Sequence, residues 1–153
     1  MIKSIFPKIK APATYEVGLQ LARAHRVLKD HTDTVLTPYS ITSVDWAILG
    51  ILYEANEKPC RLIDLSDQLG VEAPFTTKRV EALVKLGYVS VTPDTVDKRV
   101  RLSTLTSAGK KIVTTVEPLL RAESRQWLKG TSPTQLYGFL KVIKAICTNS
   151  DTK

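Results

Sequence analysis

Apolar residues recur at helical spacing in the first third of the chain. One stripe covers residues 15–36 and consists of Val17, Leu21, Ala24, Leu28 and Val35. Pro38 is expected to end this helix, because proline lacks the amide donor that a continuing helix needs. A second stripe covers residues 43–55, and Thr42 with Asp45 forms a capping-box pattern at its start. The pattern therefore predicts two successive helices.

Two shorter apolar stripes follow and are joined by a tight turn. The first covers residues 62–69 and is followed by Gly70, which readily takes the left-handed conformation that closes a helix. The second begins at Pro74, a favourable residue for the first helical position, and ends before Gly87. Two short helices joined in this way predict a helix-turn-helix.

The period changes from helical to alternating after the second of these helices. Residues 88–92 and 99–103 alternate between apolar and polar, and the turn-forming segment 93–98 lies between them. This pattern predicts a β-hairpin with a polar, basic tip. A helix-turn-helix that is followed directly by such a hairpin is a winged helix.

Two further helices are predicted after the hairpin. Thr106 is a suitable N-cap for a long helix to about residue 128, with Pro118 inside it. Ser132 and Gln135 provide the cap of a last helix. The predicted fold is therefore mainly α with a small β-hairpin wing, in which a winged helix-turn-helix core is flanked by N- and C-terminal helices.

The charge balance favours an anionic partner. The chain has 22 Lys and Arg against 15 Asp and Glu, and its formal net charge is +7. Residues 78–111 contain eight basic residues but only three acidic ones, Glu81, Asp94 and Asp97. A local basic excess beside a helix-turn-helix is typical of nucleic-acid-binding proteins. No run of about 18 or more apolar residues occurs, so we expect no membrane-spanning segment.

The cysteines and histidines form no recognisable metal or catalytic pattern. Cys60 and Cys147 are far apart, and His25 and His31 lack ligand partners at suitable spacing, so we expect no metal site and no cofactor. The sequence shows no nucleophile–base set and no glycine-rich phosphate loop, so we expect a protein that is not an enzyme. The N-terminal segment 1–16 lacks the continuous apolar stretch of a signal peptide, which favours a cytoplasmic location.

Two stretches resemble the MarR family of winged helix-turn-helix transcriptional regulators. Residues 97–109, DKRVRLSTLTSAG, are similar to the family's wing motif of Asp-x-Arg, Leu-Thr and Gly, and residues 62–89 are similar to its helix-turn-helix. The resemblance, which covers residues 43–110, implies one domain over residues 1–153. That domain has a winged-helix DNA-binding core at 43–106 and helical dimerisation regions at 1–40 and 107–153. Long helices with one apolar stripe need a partner surface, which agrees with the implied homodimer.

The resemblance also implies that the homodimer binds double-stranded DNA at a pseudo-palindromic operator, as a ligand-responsive repressor. The candidate DNA contacts in the second helix of the helix-turn-helix are Thr76, Thr77, Lys78 and Arg79. In the wing they are Asp97, Lys98, Arg99 and Arg101. Arg99 is the strongest candidate, because a guanidinium group suits the negative potential of a narrow minor groove, and Asp97 is expected to orient it by a bidentate ion pair. Solvated surface charge is the alternative interpretation, and Phe75 is left open as a DNA contact or a core residue.

A small aromatic or phenolic effector is a further partner that the resemblance implies. The candidate residues are Arg23, His25, Tyr39 and Trp46, and the alternative is that the aromatic ones belong to the core. Cys60 precedes a helix whose N-terminus can lower a thiol pKa, whereas Cys147 is expected to be buried, and we predict no thiol switch. The alternative function is a protein–protein interaction module on a winged-helix scaffold that does not bind DNA.

Overall fold

The structure is a computed structural model, and it describes residues 14–150. This part of the chain forms six α-helices and a small antiparallel sheet. The helices are α1 (Thr14–Leu36), α2 (Ser43–Glu54), α3 (Leu62–Leu69), α4 (Ala73–Lys85), α5 (Ser107–Trp127) and α6 (Pro133–Ser150). The strands are β1 (Cys60–Arg61), β2 (Val89–Pro93) and β3 (Arg101–Leu105), and a short 3-10 helix, Thr37–Tyr39, follows α1. This mainly helical fold with a small wing confirms the predicted fold class.

The described residues form two compact units, the first ending at Glu117 and the second beginning at Pro118. The buried apolar side chains lie in the first unit and come from the end of α1, from the link before α2, from α2, α3, α4 and β2, and from the first half of α5. They are Leu36, Ile41, Ile48, Leu49, Leu52, Leu65, Val80, Leu83, Val89, Ile112, Val113 and Val116. This core holds the helix-turn-helix and the hairpin in one body.

Local capping groups set the starts of α2 and α6. Thr42 Oγ1 accepts the Asp45 N–H (3.3 Å), and Asp45 Oδ2 accepts the Thr42 N–H (2.8 Å). Ser132 and Gln135 bond each other in the same reciprocal way at the start of α6. Both predicted capping boxes are therefore confirmed, and each satisfies two backbone donors that a helix start leaves unpaired.

Left-handed glycines close both helices of the helix-turn-helix. Gly70 has a φ of 64° and ends α3, and the next amide, that of Val71, bonds the Ser66 carbonyl at 3.1 Å. Gly87 has a φ of 77° after α4, and the Tyr88 N–H bonds the Leu83 carbonyl at 3.0 Å. These are the conformations in which glycine avoids the steric cost of a side chain, as the sequence predicted.

The sheet has one strand more than the predicted hairpin. Its order is β1-β3-β2, and all pairs are antiparallel. β2 pairs with β3 from Val89↔Leu105 to Pro93↔Arg101, while the two-residue β1 places Cys60 opposite Ser103. The second hairpin strand therefore starts two residues later than predicted, because a turn keeps residues 94–100 out of the ladder.

Many apolar side chains of α1 and α6 are exposed in the single chain. In α6 they include Leu136, Tyr137, Phe139, Leu140, Val142 and Ile146. Cys147, which was expected to be buried, is also exposed. Within residues 14–150 no single helix is long and apolar enough to cross a membrane; α1 and α2, which are bent by 77°, meet that test only as a pair, by length and composition.

Candidate nucleic-acid interface

One face of α4 belongs to the core and the other faces solvent. Thr76, Val80 and Leu83 are buried, at spacings of four and three residues that put them on the same helical face. Thr76 was predicted as a DNA contact, but its side chain is 0% exposed and therefore cannot reach a groove in this conformation. Lys78 is exposed and Thr77 half-buried on the other side of the helix. These two residues remain candidates for a contact with DNA.

Arg79 lies on the same helix but bonds the start of α2. Its Nε donates to Asp45 Oδ1 at 2.8 Å, and its terminal Nη2 forms an ion pair with Asp45 Oδ2. The Asp45 side chain is 1% exposed, and this hydrogen bond raises the pKa of the Arg79 guanidinium. The structure thus directs Arg79 into the protein, whereas the sequence predicted an outward DNA contact.

The tip of the wing is an ordered turn. Asp94 Oδ1 accepts the backbone N–H groups of Val96 (2.7 Å) and Asp97 (3.2 Å), and these bonds lower the pKa of the Asp94 carboxyl. The Asp94 N–H and the Val100 carbonyl close the turn at 2.9 Å. The turn carries the exposed Val96 at its end.

Asp97 shapes the backbone of this tip instead of orienting a guanidinium. Its Oδ1 accepts the backbone N–H of Arg99 at 3.0 Å, so the expected bidentate pair with the Arg99 side chain is replaced by a bond to its main chain. Lys98, Arg99 and Arg101 all have exposed side chains. The wing therefore presents three positive charges to solvent, two from the loop and one from the first residue of β3.

A cleft of about 530 Å³ separates the wing from α4. Its lining comes from α4, from the first residue of α3 and from the two hairpin strands: Thr77, Val80, Glu81, Val84, Lys85, Leu62, Val91 and Arg101. Arg61 is a basic residue of this region that the sequence analysis missed. It lies on β1, where its charge contributes to the lowered pKa of Asp94. A two-residue strand has no periodicity, so no sequence signal identified it.

The four candidate effector residues do not lie together: two are near the start of α2, and two are on α1. Tyr39 and Trp46 are half-buried and lie on either side of the Thr42 cap. Arg23 and His25 are exposed on α1, and Arg23 lies 13 residues before Leu36, which is about 20 Å along the helix axis. The two described clefts are lined by other residues.

The pKa of the Cys60 thiol is raised, whereas the helix N-terminus beside it was thought able to lower it. Burial is the main cause of the increase, and the negative charge of Asp64 is the second. Within the described residues, no three His, Cys, Asp or Glu side chains come together in a group that could hold a metal ion.

A model of the MarR family matches residues 41–100, which run from the start of α2 to the wing tip. This segment is similar to the MarR family. The matched segment contains the capping box of α2, the whole helix-turn-helix and the basic loop. The family resemblance that was inferred from the wing and helix motifs is confirmed.

Solved structures of MarR-family regulators share this fold. The chain is 17% identical to a transcriptional regulator from Rhodococcus sp. RHA1, with a TM-score of 0.79 over 90% of this chain and 96% of that chain. It is 20% identical to a mutant MarR from E. coli complexed with operator DNA, with a TM-score of 0.75 over 94% and 99% of the two chains. It is 19% identical to BpsR of Bordetella bronchiseptica, whose DNA binding is regulated by 6-hydroxynicotinic acid, with a TM-score of 0.76 over 90% and 98%.

Proposed function

We propose that the protein is a transcriptional regulator that binds double-stranded DNA through α4 and the wing. The observation that carries this proposal is the exposure of four positive charges on α4 and the wing. Lys78 on α4 and Lys98, Arg99 and Arg101 at the wing are all exposed within one compact unit. An α-helix fits the major groove of B-DNA, and a basic loop beside it can reach the phosphates or the adjacent minor groove.

Each candidate residue has a role that follows from its chemistry. Lys78 can donate to guanine edges or to phosphate, and the Thr77 side chain can contact phosphate or a thymine methyl group. Arg99 suits a narrow minor groove, where the negative potential attracts guanidinium groups. Lys98 and Arg101 are suited to phosphate contacts, which position the protein without reading sequence.

Two copies of the chain would bind one operator. The exposed apolar side chains of α1 and α6 need a covering surface, and a second copy of the same helices is complementary to them. A symmetric dimer would place its two copies of α4 about 34–36 Å apart, which is one turn of DNA, so we expect a pseudo-palindromic operator. This arrangement includes residues 1–40 and 107–153 as dimerisation regions on one domain of residues 1–153.

An effector that relieves repression completes the proposal. BpsR, which has the same fold, is regulated by a small aromatic acid, and this supports an aromatic or phenolic ligand here. Tyr39 and Trp46 are the half-buried aromatic candidates near the start of α2, and Arg23 and His25 are the polar ones on α1. Such a regulator would act on DNA in the cytoplasm.

The decisive experiment is a gel-shift titration against the DNA that flanks the protein's own coding region, repeated over a salt series. We expect the affinity to fall steeply with salt, with a slope of about −0.9 per neutralised phosphate in log K against log salt. Arg99→Ala should weaken binding by about tenfold or more, since a specific arginine contact is worth about 1–3 kcal/mol. Lys129→Ala is the matched control, because it removes one exposed positive charge from the second unit.

Two outcomes would contradict the proposal at different levels. Equal affinities of the Arg99 and Lys129 variants would remove the wing from the mechanism. Binding that is absent or insensitive to salt would instead favour a protein–protein interaction module on the winged-helix scaffold.

A further inference from the structure

Asp45 is a buried carboxylate that connects two helices. Its Oδ2 accepts the backbone N–H and the hydroxyl of Thr42, both at 2.8 Å, at the start of α2. Its Oδ1 accepts Arg79 Nε at 2.8 Å, and Arg79 Nη2 bonds Oδ2 from the middle of α4. Both oxygens are therefore occupied, and the buried negative charge is neutralised by the planar fork of a single arginine.

The other buried contacts of α4 have less directional character. Thr76, Val80 and Leu83 attach the helix to the core, and apolar burial is favourable without a preferred direction. A rotation of about 10° about the helix axis moves an atom about 6 Å from that axis by about 1 Å. Such a shift exceeds the range of about 0.5 Å within which N–H···O distances normally fall. The bidentate ion pair therefore restricts this rotation more narrowly than apolar burial alone does.

We propose that Arg79 is a positioning residue, whose ion pair with Asp45 sets the rotation of α4 and thereby the discrimination between operator and other DNA. This inference rests on the proposed function. Arg79 acts through Lys78 and Thr77, which precede it in α4, and does not itself contact DNA. Buried ion pairs contribute little net stability compared with apolar residues, and specifying one arrangement is their best-supported role.

Asp45→Asn separates this role from a general electrostatic one. The substitution removes a buried negative charge from a basic protein, so electrostatics alone predicts unchanged or tighter binding to DNA. Positioning predicts the opposite for specific DNA, because asparagine cannot hold the guanidinium as a charged, bidentate partner. We expect about tenfold weaker binding to the flanking duplex that the unsubstituted protein binds, similar to the effect of one mismatched base pair. Binding to a random-sequence duplex of the same length should change by less than about twofold.

The affinity must be measured per folded molecule. Titrating the protein into a fixed concentration of duplex gives the fraction of protein molecules that can bind. A variant that is merely less stable therefore shows fewer binding molecules, each with unchanged affinity. If Asp45→Asn does not fold, Arg79→Lys decides the question, because lysine keeps the charge but cannot make two parallel N–H bonds to one carboxylate. We expect it to lose discrimination in the same way.

The salt dependence identifies which residue touches DNA. Arg79→Met should leave the salt slope unchanged, since the charge that it removes is already neutralised by Asp45. The matched Lys78→Met should reduce the magnitude of the slope by about 1.8, which is about 0.9 for each of the two copies on the operator. A slope reduced by Arg79→Met, or full discrimination by Asp45→Asn and Arg79→Lys, would overturn the inference. Failure of the unsubstituted protein to bind any duplex would instead refute the proposed function.

Discussion

Gly109 lies where the first turn of α5 contacts the start of the wing. A Cβ atom at this position would lie 2.0 Å from the Tyr88 carbonyl oxygen and 3.0 Å from Leu105 Cδ2. The same carbonyl accepts the Thr106 N–H at 3.0 Å, and the Gly109 N–H bonds Thr106 Oγ1 at 3.0 Å. Gly109→Ala must therefore push α5 away from the wing by more than 1 Å to reach an ordinary contact distance of about 3.4 Å.

The expected cost can be assembled from three effects. Overpacking a tight contact costs about 1–3 kcal/mol, and weakening the Tyr88–Thr106 hydrogen bond adds about 1 kcal/mol. The higher helix propensity of alanine offsets about 1 kcal/mol of this cost. We expect Gly109→Ala to lower the free energy of unfolding by about 2 kcal/mol. The measurement is urea unfolding followed by circular dichroism at one fixed protein concentration, because association would shift the midpoint.

Gly50→Ala is the matched control. Gly50 lies inside α2, and a Cβ there would meet no atom within 4 Å beyond the adjacent backbone of its own helix, so alanine should raise the free energy of unfolding by about 0.5–1 kcal/mol. The two substitutions are chemically identical and should act in opposite directions. A Gly109→Ala protein as stable as the Gly50→Ala protein would show that the close approach of α5 to the wing is not rigid.

Two further predictions concern the interface, and a third concerns Cys60. Thr76→Val replaces a buried hydroxyl that has no hydrogen-bond partner, so thermal unfolding should show equal or higher stability and gel shifts should show unchanged DNA affinity; a weaker complex would restore Thr76 as a contact. Asp94→Ala should weaken DNA binding more than Asp94→Asn, since only asparagine keeps the oxygen that accepts the Val96 N–H, and equal affinities would exclude a role for the ordered tip. In a Cys147→Ser background, the pH midpoint for alkylation of Cys60 should lie above that of a free thiol, because burial raises its pKa; a lower midpoint would contradict this.

Helix ends could be predicted from the sequence because their partners are local. Thr42 and Asp45 are three residues apart, as are Ser132 and Gln135, and Gly70 needs only its own backbone freedom. Each of these signals is complete within one helical turn, so no tertiary information is required.

The contacts that could not be predicted join distant residues. Asp45 and Arg79 are 34 positions apart, and β1 pairs with a strand that begins 40 residues after it. The burial of Thr76 is different, because a signal was present. Its spacing to Val80 and Leu83 puts it on the apolar face of α4, and a threonine on that face is half apolar and can be buried.

The ladder of the wing ends at Pro93 and Arg101, and none of the residues 94–100 between them is buried in the core. Surface loops of this kind tolerate insertions and deletions at low entropic cost. α4 has no such freedom, since the same helix contributes Val80 and Leu83 to the core. Among related sequences, we therefore expect the length of the wing loop to vary quickly, whereas substitutions in α4 are confined to its solvent-facing side.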